Sequence, residues 1–296
     1  MAAVYRGMDQ QTLDSAYDAR ATVADFEAEM ARYRRLSDDS YARCRVIRDL
    51  AYGPSPAERI DLFPAGEGAP LFIFVHGGYW RLLGRAESAF MARNMVAHGV
   101  AVAVVEYGLA PAVALDEIVA QVRRAVASLY RNAPGLGIDP GRLFIGGSSA
   151  GAHLAAMALA TDWPGAFGLP EGILRGALLA SGLYDLEPVR LSRPNSWLNL
   201  DADAARRNSP VHHPPRTAVP CHLVWGGSET GEFKRQSRAF AELLAGRGHV
   251  VSQAEIADRN HFDIVTDLAD PARALFEDTM ALMGMKKGPA ETAGPR

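Results

Sequence analysis

The sequence predicts an α/β fold, a mostly parallel sheet with helices on both faces. Three observations carry this. From about residue 56 onward, short apolar runs alternate with segments of helical periodicity. Two of those runs, LFIFV at 71–75 and VAVAVVEY at 100–107, are almost continuously apolar, as strands buried on both faces are. At 147–151 a G-x-S-x-G sequence stands between an apolar run and a helix-forming one, so a strand should turn sharply into a helix there.

The elements follow in chain order. The first fifty residues are polar, with one helical stripe: Val23, Phe26, Met30 and Tyr33, preceded by Thr22 and Asp25 in a capping-box-like arrangement. They are read as an accessory helical segment packed on the body. AERIDLFP at 57–64 alternates enough for an antiparallel edge strand. After the strand at 71–75, residues 88–98 form a helix closed by Gly99. The strand at 100–107 precedes a helix whose face is Ile118, Val122, Val126 and Leu129, ending before Pro134. Strand 141–147 leads into helix 150–160, and 176–181 and 221–225 are further strands. Helix 233–244, strand 249–256 and a last helix starting at Asp270-Pro271 complete the pattern. Residues 51–284 thus read as a single domain. It carries an insertion at about 186–218, where five prolines interrupt any periodicity. The tail at 285–296 is too polar and rich in Pro and Gly to pack, and is expected to be disordered.

Composition narrows the function. At 48% hydrophobic and 22% charged residues the chain is an ordinary globular protein with a large core, and a net charge of -3 leaves no basic footprint for nucleic acid. Cys44 and Cys221 have neither metal-ligand spacing nor the look of a disulfide framework, which favours a reducing, cytoplasmic setting. The first twenty residues lack the apolar core of a signal peptide, and no apolar run reaches the roughly 18 residues of a membrane span. The expected partner is a small-molecule substrate. No cofactor and no metal are called for, since no His/Cys/Asp cluster has ligand spacing. The oligomeric state stays open, a homodimer being one option.

Gly147, Ser149 and Gly151 satisfy the G-x-S-x-G of a nucleophile turn, with small residues on either side because strand and helix approach closely. Ser148 misses the spacing. A serine hydroxyl needs a base, and in this architecture the order along the chain is serine, acid, histidine. His76, His98 and His153 come too early or too close; His212 and His213 lie in the insertion; His222 and His249 sit in strands. His261, on the loop after the last strand, is the base. The acid belongs on the loop after 221–225, where Glu229 comes first and Glu232 second; Glu232 is better placed to open the next helix, and Asp185 is a third candidate. Upstream, His76-Gly77-Gly78-Tyr79-Trp80 follows a buried strand, where backbone N–H groups can be aimed at a developing oxyanion.

HGGYW at 76–80, GSSAGAHLA at 147–155, SGLYDLEP at 181–188 and RNHFDIV at 259–265 together resemble the kynurenine formamidase (arylformamidase) family of α/β-hydrolases, itself similar to the hormone-sensitive-lipase group of esterases. The resemblance runs from about residue 50 to 284. G-x-S-x-G is shared by hydrolases broadly, whereas H-G-G-x-W is narrower and departs from the H-G-G-G of the esterases. The resemblance implies Ser149 as nucleophile, His261 as base and Glu229 as acid, although the family carries aspartate at that last position. It implies an oxyanion hole around Gly77, Gly78, Tyr79 and Ala150; His76 and Trp80 are candidate pocket residues, with Tyr79 and Trp80 either shaping the aryl side or packing the turn. The implied reaction converts N-formyl-L-kynurenine to L-kynurenine and formate. So small an acyl group calls for a pocket cramped on the acyl side. An amino-acid substrate also needs partners for its ammonium and carboxylate; Arg81, Glu106, Tyr107, Arg190 and Asn199 are candidates. Fold and motif do not fix the substrate, so a broader carboxylesterase and a catalytically silent binding protein remain the alternatives.

Overall fold

The computed structural model describes residues 3–285. An N-terminal segment comes first, with α1 (Gln10–Ala16) and α2 (Phe26–Arg43). Asp25 caps α2, its side chain accepting from the Ala28 N–H; Thr22 ends a separate 3₁₀ turn and is not the cap. Next come β1 (Ile47–Ala51), β2 (Arg59–Phe63), β3 (Ala69–Val75), α3 (Ala92–Ala97), β4 (Ala101–Val105) and α4 (Leu115–Asn132). Then follow β5 (Ile138–Ser148), α5 (Ala150–Leu159), α6 (Trp163–Phe167) and β6 (Leu174–Ala180). Three short helices, α7 (Glu187–Arg190), α8 (Asn195–Leu198) and α9 (Ala202–Arg207), precede β7 (Cys221–Gly226) and α10 (Gly231–Gly246). β8 (Val251–Ile256), α11 (Asp263–Thr266) and α12 (Ala274–Leu282) end the described chain.

The eight strands form one sheet in the order β1-β2-β4-β3-β5-β6-β7-β8. β2 pairs antiparallel with both β1 and β4; from β4 onward every pairing is parallel. All seven residues of β3 and all five of β4 are buried, which explains their uninterrupted apolar sequence. The predicted stripe of α4 is buried on one side of the sheet. All ten residues of α5 are buried, so this helix is apolar on every face because it runs through the core.

Several sequence expectations are corrected. β2 is not the edge of the sheet: β1, most of which lies in the segment read as an accessory helical one, covers it, and its sparse alternation (IRDLA, half exposed) concealed it. The helix expected at 88–98 is shortened to α3, preceded by a 3₁₀ turn at Arg85–Glu87, though Gly99 does stop it with a left-handed φ of 79°. Asp270-Pro271 opens a turn instead of a helix: the Asp270 carboxylate accepts from the Ala272 N–H, and α12 starts three residues beyond Pro271. The proline-rich stretch at 186–218 folds into short helices, each a turn or so long, too brief to show a period. The expected disorder of the tail falls outside the described residues except at Met285. Among the described residues no helix is long and apolar enough to cross a membrane, and Cys44 and Cys221 are both free.

The sheet places the site. β3 and β5 are parallel neighbours at its centre, with Val75 opposite Gly147. The H-G-G turn after β3 and the serine turn after β5 therefore emerge side by side. The chain leaves β6, β7 and β8 at the same edge, through Ser181, Glu229 and His261 respectively. This is the carboxyl edge of the parallel strands, where such sheets bind ligands.

Candidate active site

Ser149 sits between β5 and α5 with φ 56° and ψ -119°, a conformation that a non-glycine residue holds only under constraint. The constraint is visible in the flanking glycines. A Cβ on Gly151 would lie 2.0 Å from the Val75 carbonyl oxygen, and one on Gly147 would lie 2.4 Å from the Gly151 carbonyl carbon. Both turns are thus pressed backbone to backbone, and the Ser149 N–H is held by the Ala180 carbonyl at 2.8 Å. The hydroxyl is carried on a residue only 5% exposed, at the wall of a cavity of about 1090 Å³.

His261 lines the same cavity. Its Nδ1 lies 2.8 Å from Oε2 of Glu229, and both side chains are buried. With Glu229 as carboxylate, Nδ1 carries the proton and Nε2 is left as the accepting nitrogen. The other Glu229 oxygen, Oε1, accepts from the Ser181 hydroxyl at 2.5 Å and from the Gly226 N–H at 2.6 Å. Phe233 packs on the imidazole with ring centroids 4.4 Å apart. The competing acids lie elsewhere. Asp185 accepts from the Tyr5 hydroxyl and from the Glu187 N–H. Glu232 pairs with Arg235 in the first turn of α10 and accepts from Tyr17.

The turn after β3 is equally constrained. A Cβ on Gly77 would lie 2.7 Å from the Ser148 carbonyl oxygen and 3.4 Å from the Ser149 Cβ, so only glycine lets this turn approach the serine. Gly78, Tyr79 and Trp80 all have positive φ, at 93°, 52° and 57°, and the turn closes with Arg81 and Leu82 N–H groups donating to the Gly78 carbonyl. Among the described residues the N–H groups of Gly78 and Tyr79 donate to no backbone or side-chain acceptor, and that of Ala150, first in its helix, has no intrahelical partner. Ala150 follows Ser149 at the positive end of α5, and Gly78 and Tyr79 line the same cavity as Ser149.

Trp80 does not face the cavity; of the two roles open to it, it packs the turn. It is 0% exposed, and its indole N–H donates to Nδ1 of His153 at 3.2 Å. His153 in turn donates from Nε2 to the Asn208 carbonyl at 2.7 Å. Burial holds the His153 pKa down at about 4, so this imidazole is neutral and can accept from Trp80. The Trp80–His153 pair therefore ties the H-G-G turn to the helix that carries the serine. His76 does line the cavity, stacked on Tyr107 at 4.1 Å. Its Nε2 is 3.6 Å from Glu106, an ion-pair distance too long for a hydrogen bond. Burial pushes the Glu106 carboxyl up, but His76 and Arg85 outweigh this and leave its pKa below the ordinary value. Tyr107 donates to the His76 carbonyl at 2.8 Å. Glu106 and Tyr107 thus brace the turn from behind, Arg190 pairs with Glu187, and Asn199 is an exposed left-handed helix end. Of the five candidates for polar substrate contacts, Arg81 lines the cavity.

With this geometry in view, the similarities are specific. Over 289 residues the chain is 31% identical to the kynurenine formamidase of Danio rerio, covering 94% of this chain and 96% of that protein. That of Salmo salar matches equally, at 31% over 290 residues. The chain belongs to the kynurenine formamidase family. The BD-FAE family model matches residues 62–163, the stretch holding both turns. A solved structure from Silicibacter sp., described as a candidate thioesterase, superposes with a TM-score of 0.79 at 31% identity, covering 90% of this chain and 97% of that one. An esterase from Pyrobaculum calidifontis shares the fold, with a TM-score of 0.68 at 20% identity over 93% of this chain and 94% of that one. The protein is a hydrolase with the α/β-hydrolase fold.

Within this member of the kynurenine formamidase family, sequence reasoning missed most of the cavity's roof. Tyr17, Phe26, Met30 and Tyr33 from the N-terminal segment and Trp197 from α8 all line it. The Tyr33 hydroxyl donates to the Phe262 carbonyl, and Phe26 packs edge-on against Phe262, so α2 holds the loop next to His261. The apolar stripe of α2 was legible as a buried face, but what it covers was not. Ser181 and the pair Gly226-Gly227 were also missed. A Cβ on Gly226 would lie 2.3 Å from the Arg259 carbonyl oxygen, so glycine there lets the acid loop lie against the histidine loop. The adjacent glycines after a buried strand were the available signal.

Proposed function

We propose that the protein hydrolyses aryl formamides, N-formyl-L-kynurenine foremost, through Ser149, His261 and Glu229. The observation that carries the reading is the buried Glu229–His261 contact at 2.8 Å on a cavity whose wall also holds the strained Ser149 turn. Ser149 attacks the formyl carbon while His261 Nε2 takes its proton. Glu229 fixes the imidazole tautomer and stabilises the imidazolium. The tetrahedral oxyanion is received by N–H groups of the 77–79 turn and of Ala150; one such donor contributes about 3–4 kcal/mol to the transition state. His261 then protonates the departing aryl amine, and water, activated by the same imidazole, releases formate from Ser149. Glutamate in place of the family's aspartate is accommodated because Ser181 and Gly226 hold its second oxygen, so the longer side chain does not wander.

The test is steady-state hydrolysis of N-formyl-L-kynurenine and p-nitrophenyl acetate by purified protein. A formamide rate that dominates and disappears with Ser149→Ala supports the reading; an ester rate that dominates by orders of magnitude overturns it. One observation favours the second reading, a carboxylesterase for small acyl groups. The cavity is not cramped: about 1090 Å³ is at the upper end for small-molecule sites, and Phe74, Phe90 and Met30 give it an apolar wall that an acyl chain can occupy.

A further inference from the structure

The cavity wall holds four arginines, Arg20, Arg34, Arg81 and Arg193. Three face carboxylates: Arg20 faces Glu27 at 3.8 Å, Arg34 pairs with Glu87, and Arg193 faces Asp18 at 3.8 Å. Arg81 has no carboxylate partner among the described residues. Its guanidinium instead lies 4.3 Å above the Trp197 ring. Trp197 is itself fixed to the turn beside the serine: its indole N–H donates to the Tyr79 carbonyl at 3.1 Å, and its ring meets Tyr79 edge-on. The cation is thus attached to the oxyanion turn twice, through the chain two residues after Tyr79 and through the indole below it. Stacking on an aromatic face leaves the in-plane N–H fork of a guanidinium free, and that fork matches a carboxylate.

We infer that Arg81, held on Trp197, is the specificity-determining residue that receives the α-carboxylate of an amino-acid-bearing formamide, so that the enzyme prefers such substrates to neutral aryl formamides. This deepens the proposed function and rests on it. Arg81 touches no reacting atom, so its contribution falls on binding, with little on kcat. A charge-assisted, two-pronged contact at an exposed site changes affinity on the order of tenfold.

The experiment compares wild type, Arg81→Met and Arg81→Lys on three substrates: N-formyl-L-kynurenine, formanilide, which lacks the carboxylate, and p-nitrophenyl acetate. The expected result is that Arg81→Met lowers the ratio of kcat/KM for N-formyl-L-kynurenine over formanilide about tenfold, mostly through KM, with Arg81→Lys between the two because it keeps charge but not the fork. The ratio is independent of the folded fraction. A ratio unchanged by Arg81→Met, with both formamides cleaved, overturns this inference alone. A wild-type enzyme that cleaves the ester and neither formamide overturns the parent reading and the inference with it.

Discussion

The cavity has a floor and a roof built in different ways. The floor is made by the ends of β3 and β5, where Gly77, Gly147 and Gly151 bring backbone within contact of backbone and a single added methyl would meet a carbonyl at 2.0–2.7 Å. The roof is made by the N-terminal segment and α8, and it is held by side chains. Tyr17 donates to Glu232 and receives from Gln236, Tyr79 donates to the Tyr17 carbonyl, and Tyr33 donates to the Phe262 carbonyl. A backbone contact admits one residue type, so the floor leaves a motif in the sequence. A side-chain contact can be made in many ways, so the roof leaves only a faint apolar stripe.

Substitutions can break or sharpen this contrast, and the largest effect belongs to the floor. Ser149→Ala should lower kcat by on the order of 10⁴-fold or more while thermal unfolding stays close to wild type, since the turn keeps its glycines. Glu229→Gln should cost about 10²–10⁴-fold in kcat, by leaving the imidazole without its anchor, whereas Asp185→Asn should leave kcat near wild type; the opposite pattern would move the acid's role to Asp185. Gly151→Ala should reduce stability by at least ~3 kcal/mol or abolish soluble expression, because neither Val75 nor the helix can retreat. Calorimetry that finds it as stable as wild type would show that the floor can yield after all.

The tie between floor and nucleophile helix is expected to show in pH dependence. Unfolded His153 takes up a proton near pH 6.5, the buried one only near 4. Between those values the unfolded chain binds more protons, so stability should fall as pH is lowered from about 6.5, by up to ~3 kcal/mol, and level off below about 4. His153→Gln should flatten that limb in thermal melts across pH, and an unchanged acid limb would remove His153 as its source. The smallest effect belongs to the roof: Tyr33→Phe should cost about 1 kcal/mol in stability with at most a few-fold change in kcat, since one hydrogen bond is lost and packing is kept.

The legible parts of the molecule share a physical cause. Strands buried on both faces must be apolar throughout, so β3 and β4 were readable; β1, half exposed and at the edge, was not. Ser149 and His261 were readable as candidates because one turn geometry and one chain order constrain them. Glu229 could only be preferred over Asp185 and Glu232, since spacing says nothing about which carboxylate reaches an imidazole far along the chain. Trp80 could not be assigned from sequence for a related reason. A large aromatic after two glycines reads equally well as a wall of the pocket or as a plug behind it, and only its contact with His153 decides for the plug.

By itself the sequence determined the alternation of buried parallel strands with the longer helices, the serine turn and its glycine neighbours, because those are local requirements of backbone geometry and burial. Tertiary structure alone decided which acid meets His261, that the N-terminal helices roof the cavity, and that Arg81 stands over Trp197 with no carboxylate partner among the described residues. Those are meetings between residues far apart in the chain, and no local pattern encodes where a folded sheet brings distant loops together.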